Sequence, residues 1–312
     1  RDAVAALMPP GGRVAFTSGA TEALNWAIKG TAGPIVTIAT EHAAVLDTAA
    51  ATGRPVTVLP VGRDGIVDMD AARAAIVPGT GLVAAMLVNN EIGVVQPIAE
   101  LAALAHQAGA LMLCDAVQGY GRMPIPAGCD LVAVSAHKIY GPKGIGALWV
   151  RDGIDLAPLM HGGGQEAPGR SGTLSPALCA GFGAAARLAR ARMDADAAHV
   201  ARLFDRALAA LGDGWTLNGS PADRWRGNLN VRRPVLDVAR LMSECRDIAF
   251  SAGSACASGS GRSSHVLRAI GLSEAEARSS IRIGFGRDTT EEDLTDALTR
   301  IDAAARSQRI AA

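Results

Sequence analysis

The stretch Ser135-Ala136-His137-Lys138-Ile139-Tyr140-Gly141-Pro142-Lys143-Gly144 holds two of the chain's three lysines, the third being Lys29. A lysine amine forms a Schiff base with an aldehyde once burial or a cationic neighbour lowers its pKa. Lys138 follows the apolar run Leu131-Val132-Ala133-Val134, so the end of a buried strand is one setting for it. A surface turn with two solvated lysines is the other. Cys256 is the second reactive candidate. It lies in Ser251-Ala252-Gly253-Ser254-Ala255-Cys256-Ala257-Ser258-Gly259-Ser260-Gly261-Arg262, where no apolar residue exceeds alanine, so this thiol fills no core. An exposed thiol on a Ser/Gly loop suits a nucleophile. Asp115 leaves the apolar strand 110–114, and a carboxylate there is costly unless paired. A protonated pyridine nitrogen is one partner that it would keep charged. Arg282 alternates with Ile281 and Ile283. Its planar fork suits a carboxylate, and a surface salt bridge is the plainer alternative.

Further polar residues follow the other apolar runs. Thr17-Ser18-Gly19-Ala20-Thr21-Glu22 opens a helix after Val14-Ala15-Phe16. Small residues there leave N–H groups for a phosphate, although Ser/Thr followed by Glu is equally an ordinary capping box. His42 follows strand 35–39 and is either structural or a flat ring against a flat cofactor. Asn89-Asn90-Glu91-Ile92-Gly93 is either a turn or a source of amides for a carboxylate or a phenolic oxygen. The glycine-rich segment 161–173 contains Arg170, Ser171 and Thr173, a composition that suits an anion, and its length marks it as functional or disordered.

These residues need a frame. Of the 312 residues 49% are hydrophobic, 19% charged and 4% aromatic, so a large core of helices on parallel strands is expected. Strands are predicted at 35–39, 56–60, 82–88, 110–114, 131–135 and 145–150, and helices near 20–30, 43–52, 68–76 and 97–108. That alternation predicts an α/β fold with a mainly parallel sheet, in which ligands sit at the carboxyl ends of the strands. A large domain at 1–190 and a smaller α+β domain at 191–312 are expected. A helix after Pro176 runs past Arg190, and a charged amphipathic helix extends to about 210. Beyond it come strand segments at 227–232 and 248–250, a helix over 235–244, and a closing helix over 290–305 capped by Thr290.

Composition excludes several classes. Net charge is zero and no stretch is basic enough to track nucleic acid. No apolar run approaches the roughly 20 residues that cross a bilayer, and residues 1–8 read as the end of an amphipathic helix rather than a signal peptide. The five cysteines (Cys114, Cys129, Cys179, Cys245 and Cys256) show no C-x-x-C spacing, so no disulfide framework or metal site is indicated. A reducing cytoplasm is the expected setting.

In this order the motifs TSGATEALN (17–25), TEHAAVL (40–46), VNNEIGVVQ (88–96), CDAVQ (114–118) and SAHKIYGPKGIGALWVR (135–151) resemble one family. RSGT (170–173), SAGSACASGS (251–260), SHVLRAIG (264–271) and SSIRIGFGRDTTEEDL (279–294) extend the resemblance over nearly the whole chain. It is to the NifS/IscS-like cysteine desulfurases, class V aminotransferases of the fold-type I pyridoxal phosphate group. The resemblance implies a seven-stranded-type sheet in the large domain. It implies that Lys138 holds pyridoxal 5'-phosphate and shuttles a proton, that Asp115 pairs with the ring nitrogen, that Gln118 bonds the phenolic oxygen and that His42 stacks on the ring. Ala20, Thr21, Ser135 and His137 would hold the phosphate, with Thr173 reaching in from a second subunit of a homodimer. Asn90 and Arg282 would bind the carboxylate of L-cysteine. Cys256 would take the sulfur as a persulfide and hand it to an acceptor such as an iron–sulfur scaffold protein.

The family's N-terminal arm, a Tyr-Leu-Asp-x-x-Ala-Thr-Thr-like segment that helps close the pocket, has no counterpart in this sequence, and on the resemblance this puts turnover and stability in question. The competing readings are another fold-type I enzyme (a class V aminotransferase or a selenocysteine lyase) and a catalytically impaired dimeric interaction protein.

Overall fold

Short β-branched and aliphatic runs alternate with alanine- and leucine-rich segments, and each kind adopts its preferred structure. The computed structural model describes residues 1–166, 169–253 and 263–308. The chain divides into two units. The first comprises Arg1–Pro60, Val67–Val88 and Gln96–Met193, and the second Val61–Ile66, Asn89–Val95 and Asp194–Ala312. The single cut expected near residue 190 is thus joined by two excursions. Their cause is packing: Ile92 and Val94 form a buried cluster with Val266, Leu267, Ile270 and Ala277, against which Val61 and Ile66 lie.

In the first unit, helix α1 (Asp2–Ala5), strand β1 (Gly12–Thr17), α2 (Ala20–Lys29), β2 (Ile35–Ile38), α3 (Ala43–Ala51), β3 (Val56–Leu59), α4 (Met69–Ala75), β4 (Leu82–Met86), α5 (Ile98–Gln107), β5 (Leu111–Asp115), β6 (Leu131–Ser135) and β7 (Gly146–Arg151) follow in order. Among the described residues these strands make a seven-stranded sheet, ordered β1-β7-β6-β5-β4-β2-β3. Strands β2 to β6 pair in parallel, while β7 is antiparallel to both β6 and β1. Two reversals restore direction, so β1 and β2 to β6 all end at one edge of the sheet. Strands β4 and β6 are buried at every position, as expected of strands covered on both faces. Leu24, Trp26, Ile28, Leu82, Leu113 and Leu148 belong to one core cluster under this sheet.

Helix α6 (Pro176–Leu211) is continuous over 36 residues; the two helices expected on either side of residue 190 are one. The second unit continues with β8 (Thr216–Leu217), β9 (Asn228–Arg232), α7 (Val238–Glu244), β10 (Ser251–Ala252), α8 (His265–Ala269), α9 (Glu274–Arg278), β11 (Ser280–Gly284) and α10 (Glu291–Ser307). Its sheet is antiparallel, ordered β10-β11-β9-β8. Two expectations shift here. Pairing begins at Ser251 rather than at 248, because the preceding turn already commits Ile248 N to Cys245 O (3.1 Å). Helix α7 starts at Val238 rather than 235, because Asp237 caps it by accepting from Arg240 N at 3.0 Å, while Val235 holds φ 63. Thr290 caps α10 as expected, accepting from Asp293 N at 3.0 Å.

Candidate active site

The common edge of the first sheet collects most of the residues singled out by sequence. Gly19, Ala20 and Thr21 follow β1, His42 follows β2, Asp115 ends β5 with Gln118 three residues on, and Ser135 ends β6 with His137 and Lys138 beyond it. Lys138 lies in a single 3-10 turn (Ala136–Ile139) that stops at Tyr140 in the left-handed region, φ 65. This edge can be tight because Gly146 lacks a side chain. A Cβ there would lie 2.5 Å from Val134 O and 2.7 Å from Gly19 Cα.

The start of α2 is a cradle of N–H groups. Its N-cap is Gly19, with no side-chain cap, so the capping-box alternative is not the one realised. Instead Ser135 Oγ, from the end of β6, accepts from Ala20 N at 2.9 Å. Glu22 takes Ser18 N at 2.7 Å and pairs with Arg170 Nε at 2.8 Å. Arg170 is therefore spent on a carboxylate, which corrects the expectation that segment 161–173 offers it to an anion. The first-turn N–H groups of a helix have no acceptor within the helix, and that end of the dipole favours an anion. With Ala20 N committed to Ser135, the neighbouring Thr21 and His137 are the further groups that fit a phosphate. Burial, then the charges of Lys138 and Lys143, hold the His137 pKa below its ordinary value. Thr173 is exposed at the end of its loop rather than at a strand end.

Asp115 is buried, and its Oδ1 accepts from Val117 N at 3.0 Å. Burial pushes its pKa from 3.8 up to about 6, against the pull of that N–H and of the Lys138 charge. A carboxylate so desolvated fits a cationic partner, and a protonated pyridine nitrogen is of that kind. Glu41 is more deeply buried. Burial first, then the Asp115 charge, push it well above the usual carboxyl range, with Met86 N opposing. His42 is the N-cap of α3, and its Nδ1 accepts from Ala44 N at 3.0 Å. That bond fixes the ring's orientation and, in the neutral ring, leaves the proton on Nε2. Gln118 Oε1 accepts from Arg122 Nη1 at 2.7 Å. The donors and acids present thus fit pyridoxal phosphate. Cys114, next to Asp115, is fully buried, as strand alternation predicts.

Asn90 and Arg282 belong to the second unit. Arg282 Nη1 donates to Asn90 O at 2.8 Å, and Asn228 Nδ2 donates to the same oxygen at 3.0 Å. Asn89 takes the turn role: its Oδ1 accepts from Glu91 N at 2.8 Å and Ile92 N at 2.9 Å. Buried Glu91 accepts from Ser264 Oγ. Burial raises the Glu91 pKa, opposed by Ser264, His265 and Arg282. Arg282 stands opposite Ser251 in the β10–β11 pair, so the described chain before residue 254 is anchored beside it. Cys256 lies outside the described residues.

Two residues of the first unit escaped sequence reading. Glu41 was hidden by its prominent neighbour His42. Arg122 sits four residues past Gln118, the spacing at which side chains in a helical turn meet, and that spacing was its only signal.

Residues 1–297 match the aminotransferase class-V family. The mitochondrial cysteine desulfurase of Saccharomyces cerevisiae is 46% identical over 298 residues, covering 90% of this chain and 60% of that protein. The chain therefore spans about 60% of the length of this yeast relative. The cysteine desulfurase IscS of Rickettsia bellii is 42% identical over 306 residues, covering 92% of this chain and 75% of that protein. Among solved structures, a NifS-like protein superposes with a TM-score of 0.88 at 30% identity, over 97% of this chain and 85% of that one. The structure of SspA in complex with cysteine gives 0.79 at 33% identity, over 91% and 84%. A family match over nearly the full length, together with relatives of this identity, shows the family: the chain belongs to the aminotransferase class-V family, in its NifS/IscS-like branch of fold-type I pyridoxal phosphate enzymes.

Proposed function

We propose that the chain is a pyridoxal phosphate-dependent cysteine desulfurase, which converts L-cysteine to L-alanine and leaves the sulfur as a persulfide on Cys256. The observation that carries this reading is the shared sheet edge, where a desolvated carboxylate (Asp115) ends β5 and a lysine (Lys138) sits in the turn directly after its parallel neighbour β6, with a helix N-terminus that has no side-chain cap of its own at the same edge. The curated relatives named cysteine desulfurase, at 42–47% identity, support it, and so does the likeness to SspA, whose structure is of a complex with cysteine.

When bound, pyridoxal phosphate supplies an electron sink that weakens first the Cα–H and then the Cβ–S bond of the substrate. Lys138 Nζ would hold the cofactor through its aldehyde and, once free, would carry the substrate's Cα proton. Asp115 keeps a proton on the ring nitrogen. Gln118 donates to the phenolic oxygen and His42 lies against the ring. Thr21, Ser135 and His137 would hold the phosphate, the Ala20 N–H being given to Ser135 Oγ, with Thr173 arriving from the second subunit of a homodimer. Asn90 and Arg282 orient the substrate carboxylate. The Cys256 thiolate attacks the substrate sulfur: the S–S bond forms as Cβ–S breaks, and Cβ takes up a proton. One L-cysteine and one thiol give one L-alanine and one persulfide, a carrier state that a second thiol can discharge. A sulfur-acceptor protein such as an iron–sulfur scaffold is the expected recipient. The described cysteines are free, which suits a reducing compartment such as the cytoplasm. Among the described residues no helix is long and apolar enough to cross a membrane.

The test is mass spectrometry of the cofactor-loaded chain after L-cysteine. One added sulfur atom on the peptide containing Cys256, absent from Cys256→Ala and from Lys138→Ala, is expected. Alanine formation undiminished in Cys256→Ala would instead support a lyase or aminotransferase.

A further inference from the structure

The turn after β5 carries a cation that the reaction above leaves unused. Gly119 N and Tyr120 N donate to Ala116 O (3.0 and 2.8 Å), and Arg122 N donates to Gly119 O (3.0 Å), so residues 116–122 coil back on themselves. From this turn the half-buried Arg122 side chain spreads over two partners. Nη1 donates to Gln118 Oε1 at 2.7 Å and to Gln118 O at 3.1 Å, and Nη2 donates to Lys138 O at 3.0 Å. A guanidinium has donors only. The oxygen of the Gln118 amide must therefore face Arg122, and its NH2 group must face away.

We infer that Arg122 is a positioning residue that fixes Gln118 as a hydrogen-bond donor toward the cofactor's phenolic oxygen and ties the Lys138 backbone to the same turn. The inference rests on the proposed reading of Gln118 and goes beyond it in one respect. Without Arg122 the amide can turn over and present its oxygen, which would repel an anionic phenolic oxygen. A donor aimed at that oxygen favours the form with one proton fewer. Loss of the enforced donor therefore raises the pH at which the lysine-bound cofactor gives up its proton, by about one pH unit. Charged or titratable groups near the turn include Asp115, Glu41, Cys114, His137, Lys138, Tyr140 and Lys143, and all are retained in the variants below.

The experiment is a pH titration of the cofactor's long-wavelength absorbance band in loaded wild type, Arg122→Met, Gln118→Met and the double variant, with thermal melting alongside. Arg122→Met is expected to move the midpoint up by about one unit, Gln118→Met to move it similarly, and the double variant to move it no further than Gln118→Met, since the two act as one unit. A midpoint in Arg122→Met equal to wild type, or shifts that add in the double variant, would overturn the inference. So would a lowered melting temperature with an unmoved midpoint, which is what a purely structural arginine gives. If Arg122→Met does not fold, Arg122→Gln takes its place, because its amide can accept as well as donate and no longer dictates the orientation of Gln118; an unmoved midpoint there has the same force. A wild-type band that persists in Lys138→Ala sinks the functional reading and this inference together. A band that needs Lys138 but ignores Arg122 sinks the inference alone.

Discussion

Replacing Asp115 by Asn should stabilise the cofactor-free chain while weakening its hold on the cofactor. Asp115 is 5% exposed, and burial raises its pKa from 3.8 to about 6. Between those two values the folded chain binds a proton that the unfolded chain has released. Its stability contribution therefore falls as pH rises through that window and stays low above it. A rise of about two pKa units corresponds to about 3 kcal/mol. Asn keeps the shape and the oxygen that accepts from Val117 N but carries no charge. The cofactor-free variant should thus exceed wild type by about 3 kcal/mol near pH 8 and by about half that near pH 5. Urea unfolding of both proteins at the two pH values reads the difference, and cofactor dissociation reads the opposite effect in the loaded forms. A pyridine nitrogen held by a neutral amide loses its reason to be protonated, so retention should drop at least tenfold, about 1.4 kcal/mol. If the cofactor-free variant is no more stable than wild type, or its advantage ignores pH, the desolvation argument for Asp115 is wrong.

Three further outcomes follow from single contacts. Ser135→Ala leaves Ala20 N without its acceptor at a helix start that has no side-chain cap, and should cost about 1–2 kcal/mol in thermal unfolding and loosen phosphate binding. Asp302→Ala in the second unit strips partners from Trp215 Nε1 (2.9 Å), Arg233 Nη1 (2.9 Å) and Arg306 Nε (2.6 Å). With Arg233 and Asp302 nearly buried, the loss should be about 3–5 kcal/mol by urea denaturation, and a cost near zero would contradict the assigned network. Asn89→Ala frees Glu91 N and Ile92 N and should cost about 1–3 kcal/mol, whereas Asn89→Asp, which keeps the accepting oxygen, should recover most of the loss.

Much of the fold was legible because its signals are local. Apolar runs such as Leu131–Val134 and Leu82–Met86 read as covered strands and are buried throughout, and Thr290 announced the start of α10. The order of motifs marked the family, and polar residues after apolar runs marked the sheet edge. The two helices expected around residue 190 are one, because a helix can carry a change of surface without a change of backbone; α6 continues through the boundary between the units. The strand expected at 248–250 failed because an apolar pattern records burial, and Ile248 and Phe250 are packed against the second core without being paired.

Sequence by itself determined which side chains were chemically able to act: a lysine, a carboxylate, an arginine, amides and a thiol. Tertiary structure alone decided their states. Only packing shows that burial raises the pKa of both Asp115 and Glu41, because desolvation depends on what surrounds a carboxyl and not on its chain neighbours. Arg170 could be assigned to Glu22 only once segments far apart in the chain lay side by side, and Arg122 to Gln118 and the Lys138 backbone only once the turn after β5 had coiled. A guanidinium looks the same in any sequence, and the acceptor that it meets is a property of the fold.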